Sequence, residues 1–260
     1  MLTGLARLGL EVKDLATVRE FYEGRLGLAA DAADATRVRY PIGEAAERPD
    51  DGAGRTALVL RRPVDRPRGG VHTHFAFATS RSAYPRWRRR LADLDPVEFS
   101  FGSSDSLYVY DPAGHCVEIG GIHGESPADA SNTSADATAP DEAVDTEAPP
   151  LSGIFEVVFE VTDLDRAEAR YRRLGFEVVD RGDERRRVRL SGPVDLELWE
   201  PQLGIADARG GLHVDLALRT VDPNAAVEAG GPWAAGPTAA EGGLRVVDDD
   251  GHVLTFLPGT

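Results

Sequence analysis

The sequence predicts an α+β protein built from four βαβββ modules, and two levels of repetition carry that prediction. The second half repeats the first: LGLEVKDLATVREFYEGRLGL (8–28) matches VVFEVTDLDRAEARYRRLGFEV (157–178), and DPAGHCVEI (111–119) matches DDDGHVLTF (248–256). Each half also contains a second opening strand, since GGVHTHFAF (69–77) matches GGLHVDLAL (210–218). The period-2 alternation of the opening segments reads as strand, and the segment after each reads as helix.

Within the first repeat, an alternating strand is followed by Asp-Leu, a helical stretch with a tyrosine, and Leu-Gly. Asp14 and Asp163 suit helix N-caps, where a short carboxylate accepts from free backbone N–H groups. Gly27 and Gly175 suit the position just past the helix, where a left-handed residue stops it. Short strands then lead to a closing strand in each module: RTALVLRR (55–62), SLYVYDPAGHCVEIG (106–120), VDLELWEP (194–201) and HVLTFLP (252–258). Residues 124–150 contain no Lys or Arg and almost no large apolar side chain, which predicts a disordered acidic linker. It divides the chain into domains 1–123 and 151–260 of two modules each, and as a flexible coil it spans on the order of 30 Å.

Composition narrows the function classes. The 42% hydrophobic content supports real cores, and a formal charge of −15 opposes binding to phosphate backbones or anionic membranes. The basic runs RWRRR (86–90) and ERRRVRL (184–190) read as solvated faces. Lys13 is the one lysine among the 29 basic residues, and this arginine bias with an acidic excess resembles proteins of salt-accumulating halophiles. No apolar run reaches the roughly 20 residues that cross a bilayer, and MLTGLARLGLEV has no leader character, so a cytoplasmic protein is expected. The lone Cys116 rules out an intrachain disulfide and a cysteine-rich zinc site.

The strand, Asp-Leu, Phe-Tyr and Leu-Gly series in 8–28, His-x-Ala-Phe at 74–77, and Asp-Pro-x-Gly followed by Glu at 111–118 together resemble the vicinal oxygen chelate superfamily. That superfamily includes glyoxalase I, extradiol ring-cleaving dioxygenases and bleomycin-binding proteins. The resemblance covers nearly everything except the linker. It implies two half-open mixed β-barrels with helices outside, each built from two modules around a divalent metal, with each module offering a ligand from its first and its last strand. The positions so implied are His74 and Glu118, then Glu156 and Glu197, with Arg7 and Val59 in the first module and Asp215 and Thr255 in the fourth. Alternation supports them independently, because Phe75, Phe77, Val157, Phe159, Leu196 and Leu198 face the other way.

Pairing within each half leaves two abnormal sites. Crossed pairing of module two with module three collects His74, Glu118, Glu156 and Glu197 in one cleft, and leaves Arg7 with Asp215 to close the other; this arrangement is favoured because it explains where the losses fall. His72 reads as a structural neighbour, since its counterpart His213 persists in a module without the site. His115 and His252 follow turn glycines and are expected at the surface, and His123 borders the linker. Tyr108 and Tyr110 lie near the site, although strand aromatics are more often core. Three carboxylates and a histidine in a cleft call for a cation.

The resemblance therefore implies a divalent-metal-dependent, glyoxalase-like lyase or isomerase. One Mn, Fe, Ni or Zn ion would chelate adjacent oxygens of an enediolate-type intermediate, with Glu118 or Glu156 moving the proton. The alternatives are an extradiol dioxygenase using non-haem Fe(II), for which His72 would have to be a ligand, and a metal-free binding protein of the bleomycin-resistance type. The expected partner is a small-molecule substrate, with the chain a monomer or homodimer.

Overall fold

A computed structural model describes residues 2–43, 55–63, 73–101, 104–122, 147–200 and 214–259. The expected linker lies almost wholly outside the described residues, as do His72, His123 and His213. The first module is β1 (Leu2–Glu11), α1 (Leu15–Glu20), β2 (Ala32–Ala33), β3 (Arg37–Ile42) and β4 (Thr56–Arg61). The second is β5 (His74–Thr79), α2 (Tyr84–Arg90), β6 (Val97–Phe101), β7 (Ser104–Tyr110) and β8 (Cys116–Gly121). The third is β9 (Gly153–Glu160), α3 (Leu164–Arg173), β10 (Glu177–Arg181), β11 (Arg187–Ser191) and β12 (Asp195–Trp199). The fourth is β13 (Asp215–Thr220), α4 (Pro223–Gly230), β14 (Ala235–Ala240), β15 (Gly243–Val247) and β16 (Val253–Pro258). The stretch 106–120, read from sequence as one closing strand, is instead a hairpin of β7 and β8 that turns at Asp111–His115, where Gly114 takes a positive φ of 81°.

The capping expectations match the structure. Asp14 accepts from the Thr17 backbone N–H at 3.1 Å and Asp163 from that of Arg166 at 3.0 Å, while Gly27 and Gly175 have φ of 67° and 99°. After α1 the chain widens into a single π-helical turn, Phe21–Arg25, that buries Phe21 and Tyr22.

Two eight-stranded sheets result, in the orders β14-β15-β16-β13-β1-β4-β3-β2 and β10-β11-β12-β9-β5-β8-β7-β6. Each sheet thus takes one module from each half, which is the crossed pairing. Its centre is an antiparallel seam of two opening strands, β1 with β13 and β5 with β9, each flanked by its own closing strand in parallel. The register repeats four times: Arg7 faces Ala57, His74 faces Cys116, Glu156 faces Asp195 and Asp215 faces Val253. In every module the closing-strand site residue follows that partner by two, so both site side chains share a face. The opposite face is the core. Phe75, Phe77, Val157, Phe159, Leu196 and Leu198 are all fully buried there, each adding about 1.5–3 kcal/mol of apolar burial.

The sheets are joined by a motif used twice. The Tyr22 hydroxyl in module one donates to Asp111 Oδ2 in module two at 3.0 Å, and the Tyr171 hydroxyl on α3 donates to Asp248 Oδ2 in module four at 3.2 Å. Asp111 Oδ1 accepts from the Ala113 and His115 N–H groups, and Asp248 Oδ1 from those of Asp250 and His252. The two histidines expected at the surface are fully buried. His115 Nδ1 lies 2.8 Å from Asp111 Oδ2, and the His252 ring stacks on Phe159 at 4.5 Å with Nε2 2.9 Å from the Glu160 carbonyl. Each imidazole is covered because the aspartate folds the turn inward. Burial alone would raise the Asp111 carboxyl, but His115, the backbone N–H groups and Tyr22 together hold it below its ordinary value.

Candidate metal centre

The concave face of the second sheet lines a cleft of about 1250 Å³. His74 and Glu118 reach it from β5 and β8, and Glu156 and Glu197 from β9 and β12 across the seam. All four sequence-predicted positions are therefore brought to one cleft, and each is at most 8% exposed. One donor atom from each of His74, Glu118 and Glu156 falls in a group whose members all lie within 4.8 Å of one another. His74 Nε2 is 3.1 Å from Glu118 Oε2.

Glu197 is turned aside. Its Oε2 accepts from the Trp199 indole N–H at 2.7 Å and its Oε1 from Arg187 at 3.1 Å. Arg189 lies 3.0 Å from both Glu156 Oε2 and Asp195 Oδ2. The run ERRRVRL is thus not simply a solvated face: Val188 and Leu190 enter the core, and Arg187 and Arg189 alternate into the cleft. The signal for this was in the sequence, since β11 pairs with β12 and sets Arg189 beside Glu197 and Arg187 beside Trp199.

Burial, Glu197 and Glu118 push the Glu156 carboxyl up to about 8, against the opposing pull of Arg189. Tyr108 faces the His74 ring edge-on at 5.5 Å, and burial together with the charge of Glu118 raises its phenol, so it stays a hydrogen-bond donor. Tyr108 is accordingly a cleft residue and not core, and Tyr110 is 59% exposed. Cys116 lines the same cleft, but burial and the charges of Glu118 and Asp111 push its thiol up to about 12, which keeps it from acting as a thiolate near neutral pH.

The donor chemistry fits a divalent cation. Ligands about 2.1 Å from a metal lie roughly 3–4 Å from one another, and this group needs to close by less than about an ångström to meet that condition. One imidazole with carboxylates suits Mn, Fe, Ni or Zn.

The equivalent face of the first sheet is filled by an ion-pair network. Arg7 lies 3.1 Å and Arg61 2.9 Å from the fully buried Asp215, and Arg7 also pairs with Glu241. Val59 and Thr255 are buried beside it. Guanidinium groups stand where the other sheet gathers its donors.

This pair of curled sheets, each built from two βαβββ modules across an antiparallel seam, is the fold of the vicinal oxygen chelate superfamily. No family model and no curated protein matches the chain. Among solved structures it is similar to a putative dioxygenase from Bacillus subtilis, at 16% identity over 99% of this chain and 85% of that one, with a TM-score of 0.67. It is also similar to glyoxalase I from Zea mays, at 17% identity over 98% of this chain and 92% of that one, with a TM-score of 0.62.

Proposed function

We propose that the chain is a divalent-metal-dependent enzyme of the glyoxalase-like type, acting on a small molecule as a lyase or isomerase. One observation carries this reading: His74, Glu118 and Glu156 present three donor atoms within 4.8 Å on the concave side of a sheet seam. These three residues would hold the metal, and Glu197 would complete the set on leaving Arg187 and Trp199. When bound, the metal supplies Lewis-acid polarisation of two adjacent substrate oxygens.

The chain's own residues supply the proton handling. Glu156 would take a proton from one substrate carbon on a carboxylate oxygen and return it to the adjacent substrate carbon. Glu118 is the alternative proton carrier on the other side of the seam. Arg189 keeps Glu156 oriented, and Tyr108 donates toward Glu118. Trp199 and Tyr108 flank His74 and exclude water from it.

A second reading is favoured by the arginines. Arg187 and Arg189 already offset Glu197 and Glu156, as in a metal-free binding protein with an acidic cleft. Metal stoichiometry by mass spectrometry, on tag-free protein purified in high salt, separates the two. About one metal per chain, lost in Glu156→Ala, supports the enzyme. No metal after addition of Mn, Fe, Ni or Zn leaves the binding protein. The extradiol alternative predicts oxygen uptake with a catechol in the iron-loaded protein.

A further inference from the structure

The cleft carries a row of rings that runs across the strands. Phe101 lies 6.2 Å from Phe99, Phe99 5.6 Å from Tyr108, Tyr108 5.5 Å from His74, and His74 5.9 Å from Trp199. At the far end, the Arg185 guanidinium sits over the Trp199 ring at 5.0 Å. The row therefore has an apolar end on β6, the donor group in the middle and a cation at the other end.

Both ends differ from an ordinary protein surface. Val97, Phe99 and Phe101 are 54–57% exposed and line the cleft, whereas large apolar side chains grouped on a face generally mark a binding surface. Arg185 is the lining arginine without a carboxylate partner among the described residues: Arg187 is paired with Asp180 and Glu197, and Arg189 with Glu156 and Asp195. Its position is set by the β10–β11 turn. A Cβ on Gly182 would lie 2.5 Å from the Arg185 carbonyl, so the glycine permits the turn that folds Arg185 back over Trp199. A guanidinium on an aromatic face keeps its N–H edge free for a planar anion.

We infer that the substrate is an amphipathic organic carboxylate, its anion held by Arg185 on Trp199 and its apolar or aromatic body laid on Phe99 and Phe101. This deepens the proposed function and rests on reading this cleft as a small-molecule site. Arg185 offers the anion a cation that no carboxylate among the described residues already claims. The exposed rings gain by being covered, and the donor group lies between the two ends, where the reacting atoms of such a molecule would sit.

The test is calorimetric titration with 4-phenylbutyrate, 4-phenylbutanamide and butyrate, with EDTA present and again with Mn²⁺. In EDTA the acid should bind at least about tenfold tighter than the amide, the order expected of one charge-assisted hydrogen bond, and at least about tenfold tighter than butyrate, from burial of its ring. Arg185→Gln should abolish the preference for acid over amide, and the exposed double substitution Phe99→Ala/Phe101→Ala should abolish the preference over butyrate. Equal binding of acid and amide by the unaltered chain would overturn the inference. So would a preference that survives Arg185→Gln, or one that appears only with Mn²⁺, since the carboxylate would then be a metal ligand. Failure of the metal reading shows separately, as absence of Mn²⁺ binding with the acid-to-amide ratio in EDTA intact.

Discussion

At Glu156 a metal in the proposed site would compete with a proton for the same oxygens. Its carboxyl is raised from 4.5 to about 8, so the folded chain holds a proton there that the unfolded chain releases. The metal-free protein should therefore lose this contribution to stability as pH rises from about 4.5 through about 8. Metal affinity should move the opposite way, climbing with pH and levelling above about 8, with up to one proton released per ion bound below that point. Calorimetry in two buffers of different ionisation enthalpy measures the release; no proton uptake by buffer between pH 6 and 8 would refute this role. On the proposed reading, Arg187 would oppose a metal by holding Glu197. Arg187→Ala should raise Mn²⁺ affinity about tenfold, a gain of about 1.4 kcal/mol, and a further Glu197→Gln should cancel it.

At the scale of elements, the Asp111 and Asp248 turns decide how helices meet sheets. The Asp-to-His spacing of four residues occurs in both turns, and in each the aspartate accepts two backbone N–H groups and a tyrosine hydroxyl from the preceding module. Tyr22→Phe should cost about 1 kcal/mol in urea melts, the worth of one hydrogen bond. Asp111→Ala should cost about 3 kcal/mol or more, because several buried donors lose their acceptor together. If the two substitutions combined additively, the Tyr22–Asp111 contact would be energetically silent. A histidine after a turn glycine reads as exposed when the turn is considered alone. The repeated Asp-x-x-x-His pair was the available sign that this turn is folded inward.

Over the whole molecule, two kinds of interface close a ring of modules. Modules one and four, and two and three, share sheets; modules one and two, and three and four, share the tyrosine–aspartate contacts. Because each sheet needs a strand set from each half, a chain cut within residues 124–146 should run as a single species in size-exclusion chromatography, with both fragments in one peak. Fragments that separate without denaturant would contradict the crossed pairing. The same crossing assigns opposite fates to the two clefts: one gathers His74, Glu118 and Glu156, and the other buries Asp215 among arginines.

The repetition, the caps and the alternation of the strands were all readable in the chain, because period-2 patterning and N-cap chemistry are local properties of a segment. The same patterning placed His74, Glu118, Glu156 and Glu197 on concave faces. It could not decide which carboxylates converge, since that depends on which modules share a seam. The alternation of Arg187 and Arg189 on β11, which pairs with its sequence neighbour β12, was local as well; that Arg189 reaches Glu156 on β9 was not. The row from Phe101 to Arg185 draws on four strands and a turn, with His74 and Trp199 in contact across 125 residues of sequence, and no local pattern encodes a contact of that range. The sequence by itself determined the modules and the faces their side chains take; only the tertiary structure, by bringing β5 and β9 together, decided that those faces form one cleft with a cation at its end.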